Sequence, residues 1–441
     1  MKAKADVALI QRKLYFLWIR ISVLKEAGQL YYCLKDECVL VEGKLRGAIY
    51  DLSSGRVYSI NRGAVDLLKE CQKSALEDIM DVSLADNKRY LSFLDSLTAK
   101  GLGATYNEAP VKNQTPNLPV YQPKLEYIWL ELTSSCNNRC LHCYSASSPH
   151  IEAGCVPHTR WLELITEAHQ AGAYGIQLIG GEPLLYPNWR ELVIKAREEN
   201  YELIEVFTNA TLVDDDCIEF FKEYDVSVAT TIYADNAEIH DKVTLHPGSF
   251  DKTMTAIKKI LSKGVPLRIA SIIMKANEHE AENIMKLLAE LGVEPAPPDV
   301  VRPTGRGDDL DLLPQAYSKP PIKPPFFIDA EAFAKAQNFH SCLAGRLAIT
   351  ATGDVIPCIF ARNQICGNIL NTSLITILNG QPLTTCWQTT KDCIAKCQDC
   401  EYRFACADCR PLAQGQDPQR CWLAAPADCS YNPYTGKWED E

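Results

Sequence analysis

The chain has 441 residues, 23% of them charged, and a formal net charge of −11. This length supports roughly two to four domains and a large core, and the acidic balance excludes nucleic acid or an anionic membrane surface as the default partner. Nineteen residues are cysteine, far more than an ordinary cytosolic chain carries, and eleven of them fall after residue 340.

The apolar run Leu14-Tyr15-Phe16-Leu17-Trp18-Ile19 is followed at once by Arg20. It is too short to span a bilayer and does not read as a signal peptide, so a cytoplasmic location and no membrane association are expected. A cysteine-rich chain in that compartment reads as a metal binder in reducing, low-oxygen surroundings, not as a disulfide scaffold.

Residues 28 to 104 read as one small unit. Three short apolar segments, Cys38–Glu42, Gly47–Leu52 and Arg56–Ile60, are separated by glycine-containing turns and predict strands. Helical periodicity follows over Ala64–Cys71, Ala75–Val82 and Asn87–Lys100. Residues 105 to 125 carry Pro110, Pro116, Pro119 and Pro123 and read as a linker.

From residue 126 to about 310 the pattern alternates. Strands are predicted at Tyr127–Thr133, Gly175–Gly180, Leu203–Thr208, Val226–Tyr233, Leu267–Met274 and Asp299–Arg302, with helices near 159–171, 188–199, 213–224, 250–263 and 279–291. Six βα repeats of about thirty residues imply an α/β fold with a parallel sheet curved into a partial barrel, whose chemistry belongs at the C-terminal ends of the strands. A proline-rich passage, Pro295 to Pro325, closes this region. Residues 326 to 441 are loop-rich and full of cysteine.

Two motifs stand where that rule places chemistry. The loop after the first strand holds Cys136, Cys140 and Cys143 in a C-x3-C-x2-C run. Three thiolates so spaced can bind three irons of a cubane [4Fe–4S] cluster, leaving the fourth iron open as a reactive position, since a purely structural cluster takes four cysteines. A zinc knuckle lacking one ligand is the bland alternative. The second strand ends in Gly180-Gly181-Glu182-Pro183, where glycines permit close backbone approach and Glu182 supplies an anionic acceptor.

Together these motifs resemble the radical SAM superfamily, and the resemblance covers most of the chain. It implies a cluster on Cys136, Cys140 and Cys143 whose open iron chelates S-adenosylmethionine (SAM). It implies reductive cleavage to a 5′-deoxyadenosyl radical that takes a hydrogen from the substrate, making the chain an oxidoreductase. Gly180, Gly181, Glu182 and Pro183 would then contact the SAM amino group. Thr208-Asn209-Ala210 resembles the family's Thr-Asn-Gly, with alanine in place of glycine, and Thr230, its neighbour Thr231 and Arg302 are further candidates for SAM contact.

The C-terminal cysteines resemble a SPASM domain, which holds two auxiliary [4Fe–4S] clusters, three clusters in all. By that analogy Cys342, Cys358 and Cys409 hold the nearer one, with Cys366 a candidate fourth ligand. Cys397, Cys400, Cys406 and Cys421 hold the outer one, and Cys429 could substitute for Cys421. Cys406 and Cys409 stand one residue closer than the family spacing, and a zinc ribbon is the competing reading of the C-x2-C pairs. The unit at 28–104 resembles the winged-helix-like RiPP recognition element, which binds a leader peptide by strand addition.

The expected function is maturation of a ribosomally made precursor peptide, captured through its leader, by crosslinking (thioether or carbon–carbon) or backbone cleavage. The electron would come from an external flavodoxin- or ferredoxin-type donor. A maturase of the formylglycine-forming sulfatase type is a rival, although that family places an aspartate base where this chain has Ile359. A non-catalytic iron–sulfur carrier or redox sensor is another.

Overall fold

The computed structural model describes residues 29–80, 84–109, 118–152, 154–320, 322–426 and 428–439. The apolar run at 14–19, Val82, and Pro110 and Pro116 of the expected linker lie outside them. Among the described residues no helix is long and apolar enough to cross a membrane.

The N-terminal unit has two small sheets. Strand β1 (Tyr31–Leu34) pairs antiparallel with β5 (Gly103–Tyr106), while β2 (Cys38–Glu42), β3 (Arg46–Asp51) and β4 (Arg56–Asn61) form an antiparallel meander. Helices at Arg62–Cys71, Leu76–Ile79 and Leu84–Ala99 follow the meander. The Asn61 side chain accepts the Ala64 N–H at 2.9 Å and so starts the first of them. The β1–β5 pair was not legible in the sequence. Its strands are only four residues long and the two partners stand at opposite ends of the unit.

The predicted barrel is present as β6 (Tyr127–Glu131), β7 (Gly175–Ile179), β8 (Leu203–Phe207), β9 (Ser227–Ile232), β10 (Leu267–Ile273) and β11 (Asp299–Val300), all parallel and in sequential order. Their outward side chains, such as Ile128, Leu130, Ile176, Val206 and Val228, are fully buried against the helices at His158–Gln170, Trp189–Glu198 and Asp215–Glu223. A near-continuous apolar strand buried on both faces is what parallel sheets demand.

The sheet does not stop at six strands. From the cysteine-rich region β12 (Arg346–Ile349) pairs in parallel with β6, and β13 (Asp354–Ile356) and β14 (Gly367–Asn368) continue antiparallel, giving nine strands. A hairpin of β15 (Tyr431–Asn432) and β16 (Lys437–Trp438) lies near the end.

The N-terminal unit packs on the cysteine-rich region. Val41, Ala48, Tyr50 and Leu52 share a core with Phe333, Ala336 and Phe404, and the Tyr50 hydroxyl donates to the Glu401 carbonyl at 2.8 Å.

Candidate active site

The cysteine loop leaves β6 and is fastened to the end of β7. The Gly181 N–H donates to the Thr133 carbonyl at 2.6 Å and the Glu182 N–H to the Ser135 carbonyl at 2.9 Å. Only glycine fits there. Gly180 has φ +146°, and a Cβ on Gly181 would collide with the Ser135 carbonyl oxygen. A second clamp comes from the loop after β11. Arg306 donates from Nε to the Cys140 carbonyl at 2.9 Å and from Nη2 to the Ser147 carbonyl at 2.8 Å, while its backbone N–H bonds the Cys143 carbonyl. Arg306 thus bonds three carbonyls of the cysteine loop.

Cys136, Cys140 and Cys143 face an open cavity at the C-terminal ends of the strands, with a volume of about 990 Å³ out to its mouth. Burial pushes the Cys136 thiol up to about 12 and raises Cys140 as well. Both are therefore protonated until a metal displaces the proton. Among the described residues no three His, Cys, Asp or Glu side chains converge on one ion. A single zinc, at about 2.3 Å from each sulfur, would require such convergence, whereas a cubane takes thiols spread around its corners. Three sulfurs on one clamped loop, beside a cavity of about 990 Å³, fit the group.

The remaining predicted residues separate into those that line this cavity and those that do not. Gly180, Gly181, Thr208, Asn209 and Arg302 line it. Asn209 approaches Cys136 Sγ at 3.8 Å through Nδ2. Ala210 has φ +61°, a left-handed conformation that explains why a glycine suits this place. Glu182 is fully buried, and its carboxylate faces neither cavity nor solvent. It accepts from the Thr208 hydroxyl at 2.7 Å, the Asn209 N–H at 2.9 Å and the Leu184 N–H at 3.1 Å, binding the ends of β7 and β8 together. Burial pushes it up to about 7 against those three donors. Pro183 begins the short turn of helix beneath.

Thr230 requires a correction. It is fully buried on the outward face of β9, its hydroxyl without a partner, while Thr231 lines the cavity. Side chains alternate along a strand, so a one-residue choice selects the wrong face.

Arg302 serves the far wall. Its guanidinium lies 4.4 Å above the Phe360 ring and 3.3 Å from Asp299, and its charge acts on Cys409 and Cys358. Cys342, Cys358 and Cys409 are electrostatic neighbours there, so the nearer thiol group gathers about Arg302 behind that wall. Cys366 does not belong to it. It is buried in the main core beside Cys386, whose thiol is its strongest neighbour.

The outer group also departs from expectation. Cys397, Cys400, Cys406 and Cys429 line one cavity, and Cys421 does not. Cys421 is exposed just beyond the helix Arg410–Gln416, its N–H held by the Asp417 carboxylate at 2.9 Å. Arg410 grips the carbonyls of Trp422 and Ala424, and Lys396 that of Cys429, so the chain turns to deliver Cys429 inward.

Sequence reasoning missed the cavity's aromatic walls. Tyr144 meets Phe360 edge-on at 5.3 Å, and His142, Tyr233 and His240 form a run with centroids 5.0 and 5.3 Å apart. Burial lowers His142 and His240 to about 4, and both are neutral at pH 7. A second void of about 1150 Å³ continues down the barrel past Phe207, Thr231 and Ile359.

Residues 130–288 match the model of the radical SAM superfamily, and residues 342–401 match that of the SPASM iron–sulfur cluster-binding domain. The chain is 27% identical over 337 residues to an AdoMet-dependent heme synthase of Methanosarcina barkeri, covering 69% of this chain and 95% of that protein. It is 26% identical over 329 residues to the antilisterial bacteriocin subtilosin biosynthesis protein AlbA of Bacillus subtilis, covering 70% and 72%. The fold is similar to that of Streptococcus suis SuiB bound to its precursor peptide SuiA. That match has a TM-score of 0.55 at 13% identity and covers 90% of this chain and 99% of that one. The chain has a radical SAM fold with a SPASM domain at its C-terminal end.

Proposed function

We propose that the protein is a radical SAM maturase of a ribosomally made precursor peptide. The observation that carries this reading is the clamped loop: among the described residues, Cys136, Cys140 and Cys143 are the only cysteines lining the cavity. Those three thiolates would hold a cubane cluster and leave one iron free to bind SAM. When bound, cluster and SAM supply a 5′-deoxyadenosyl radical that removes a hydrogen from an unactivated carbon.

The chain's own residues position and shield that chemistry. Gly180 and Gly181 bring backbone to the cofactor, Glu182 holds Thr208 and Asn209 in place, and Tyr144, Phe360 and Tyr233 exclude water. Among the described residues no carboxylate lines the cavity beside the cysteine loop, and Ile359 stands where the sulfatase-type rival carries a base. Glu205 and Asp299 of the void below that cavity are ion-paired to Arg268 and Arg302. The two histidines are held neutral and both tyrosines stay protonated. This supports capture of the substrate radical in a crosslink over base-assisted oxidation. Two further [4Fe–4S] clusters, on Cys342, Cys358 and Cys409 and on Cys397, Cys400, Cys406 and Cys429, would exchange electrons with substrate and with an external flavodoxin- or ferredoxin-type donor.

The N-terminal unit favours a peptide substrate over the heme synthesis that names one of the similar proteins. The match to that heme synthase spans 95% of it yet leaves about three-tenths of this chain unmatched, whereas the likeness to SuiB spans 90% of this chain. Strand β4 pairs with β3 on one side. On the other, among the described residues, only the bridge from Arg56 to Phe327 uses its edge, which leaves main-chain groups for a leader peptide.

The test is anaerobic reconstitution with SAM and dithionite. Release of 5′-deoxyadenosine marks the enzyme and its absence an electron carrier. A synthetic peptide from a short reading frame beside the gene should bind the full chain and gain a crosslink. Conversion of a tetrapyrrole instead would overturn the peptide reading.

A further inference from the structure

A buried polar knot separates the two C-terminal thiol groups. Asp408 stands in the chain between Cys406 of the outer group and Cys409 of the nearer one. Its Oδ2 lies 2.6 Å from Arg410 Nε, 3.4 Å from Lys391 Nζ and 3.6 Å from His340 Nε2. All four side chains are at least nine-tenths buried.

The charges in the knot do not cancel. Nδ1 of His340 accepts the N–H groups of Cys342 and Leu343, so the ring proton is on Nε2, facing Asp408, and the imidazole is neutral. One carboxylate therefore faces two fixed cations. Arg410 spends its donors on Asp408 and on the Trp422 and Ala424 carbonyls. Lys391 does not. Its Nζ is buried without a hydrogen-bond partner, and the residue lines the same cavity as Cys397, Cys400, Cys406 and Cys429. A dry ammonium with unspent N–H groups is costly without a full counter-charge, and Asp408, at 3.4 Å, is shared with Arg410. By contrast Arg302, beside the nearer thiol group, has Asp299 as its own counter-ion.

We propose that Lys391 is a positioning residue for the outer cluster, its ammonium donating to the cluster's sulfurs so that the outer cluster is the more easily reduced of the two. The surplus positive charge favours the more negative redox state, and hydrogen bonds to cluster sulfur act in the same direction. The proposal rests on the reading that the Cys397 group holds a cluster.

The experiment uses full-length reconstituted protein in which Cys136→Ala, Cys140→Ala and Cys143→Ala remove the first cluster, with potentiometric titration followed by EPR. Lys391→Met should shift the higher of the two midpoint potentials downward and leave the other in place, and Lys391→Arg should hold both near the parent values. If Lys391→Met fails to load iron, Lys391→Gln against Lys391→Arg decides: a lower potential in the glutamine variant supports the role. Equal potentials in loaded variants overturn it. If Cys429→Ser and Cys421→Ser both leave the iron content unchanged, the outer cluster itself is refuted and the role of Lys391 with it.

Discussion

Arg362 of the cysteine-rich region and Glu131 at the end of β6 form a two-pronged ion pair, Nη1 to Oε1 at 2.7 Å and Nη2 to Oε2 at 3.1 Å. Glu131 is 2% exposed, and burial raises its pKa against the pull of Arg362. The pair joins the two halves of the cavity wall. Replacing Arg362 by Met leaves a buried carboxylate without its counter-ion, at a cost of about 3 kcal/mol. Adding Glu131→Gln should recover much of that loss. Denaturant midpoints of the single and double variants read this directly, and an unmoved midpoint in the single variant would contradict it.

Gly181→Ala should dislodge the first cysteine loop, because the new methyl group meets main chain that cannot rotate away. We expect reconstituted iron to fall by the equivalent of one four-iron cluster and 5′-deoxyadenosine release to be lost. A fully loaded, active Ala variant would show that the β7 end is free to move.

The outer ligand set makes a paired prediction. Cys429→Ser should lower the iron content by about one cluster and Cys421→Ser should leave it unchanged, because Cys421 is exposed and outside the thiol-lined cavity. The reverse pattern would restore the assignment expected from spacing. Iron and sulfide quantification on the two proteins suffices.

His240 gives a pH dependence. It is 2% exposed, and burial lowers it to about 4 from an ordinary value near 6.5. The unfolded chain therefore binds the proton first. The stability this neutral ring contributes is complete above pH 6.5 and is lost as pH falls toward 4, by about 3 kcal/mol. In His240→Phe the slope of unfolding free energy over that window should flatten relative to the parent, as parallel denaturant titrations would show. Identical slopes would place the histidine's titration elsewhere.

The sequence made local features legible and long-range ones illegible. All six barrel strands and the cysteine loop follow from periodicity and spacing, which act over neighbouring residues. The helix Ala237–Thr244 was missed, since it is short and sits between a strand and another helix. Thr230 against Thr231 turns on a single step of alternation. Cys421 against Cys429 depends on where Arg410 and Lys396 anchor the intervening loop, which spacing does not encode. The clamping role of Arg306 was equally hidden, because it acts on carbonyls far away in the chain.

Strand β12 lies in register with β6, Arg346 opposite Tyr127. During synthesis the first barrel strand thus waits for a neighbour that leaves the ribosome after every other barrel strand. Until then it presents a bare flank, the kind of exposed edge that recruits unwanted partners. A version cut before residue 326 would keep that flank for good. It should collect in aggregates instead of yielding a free-standing barrel.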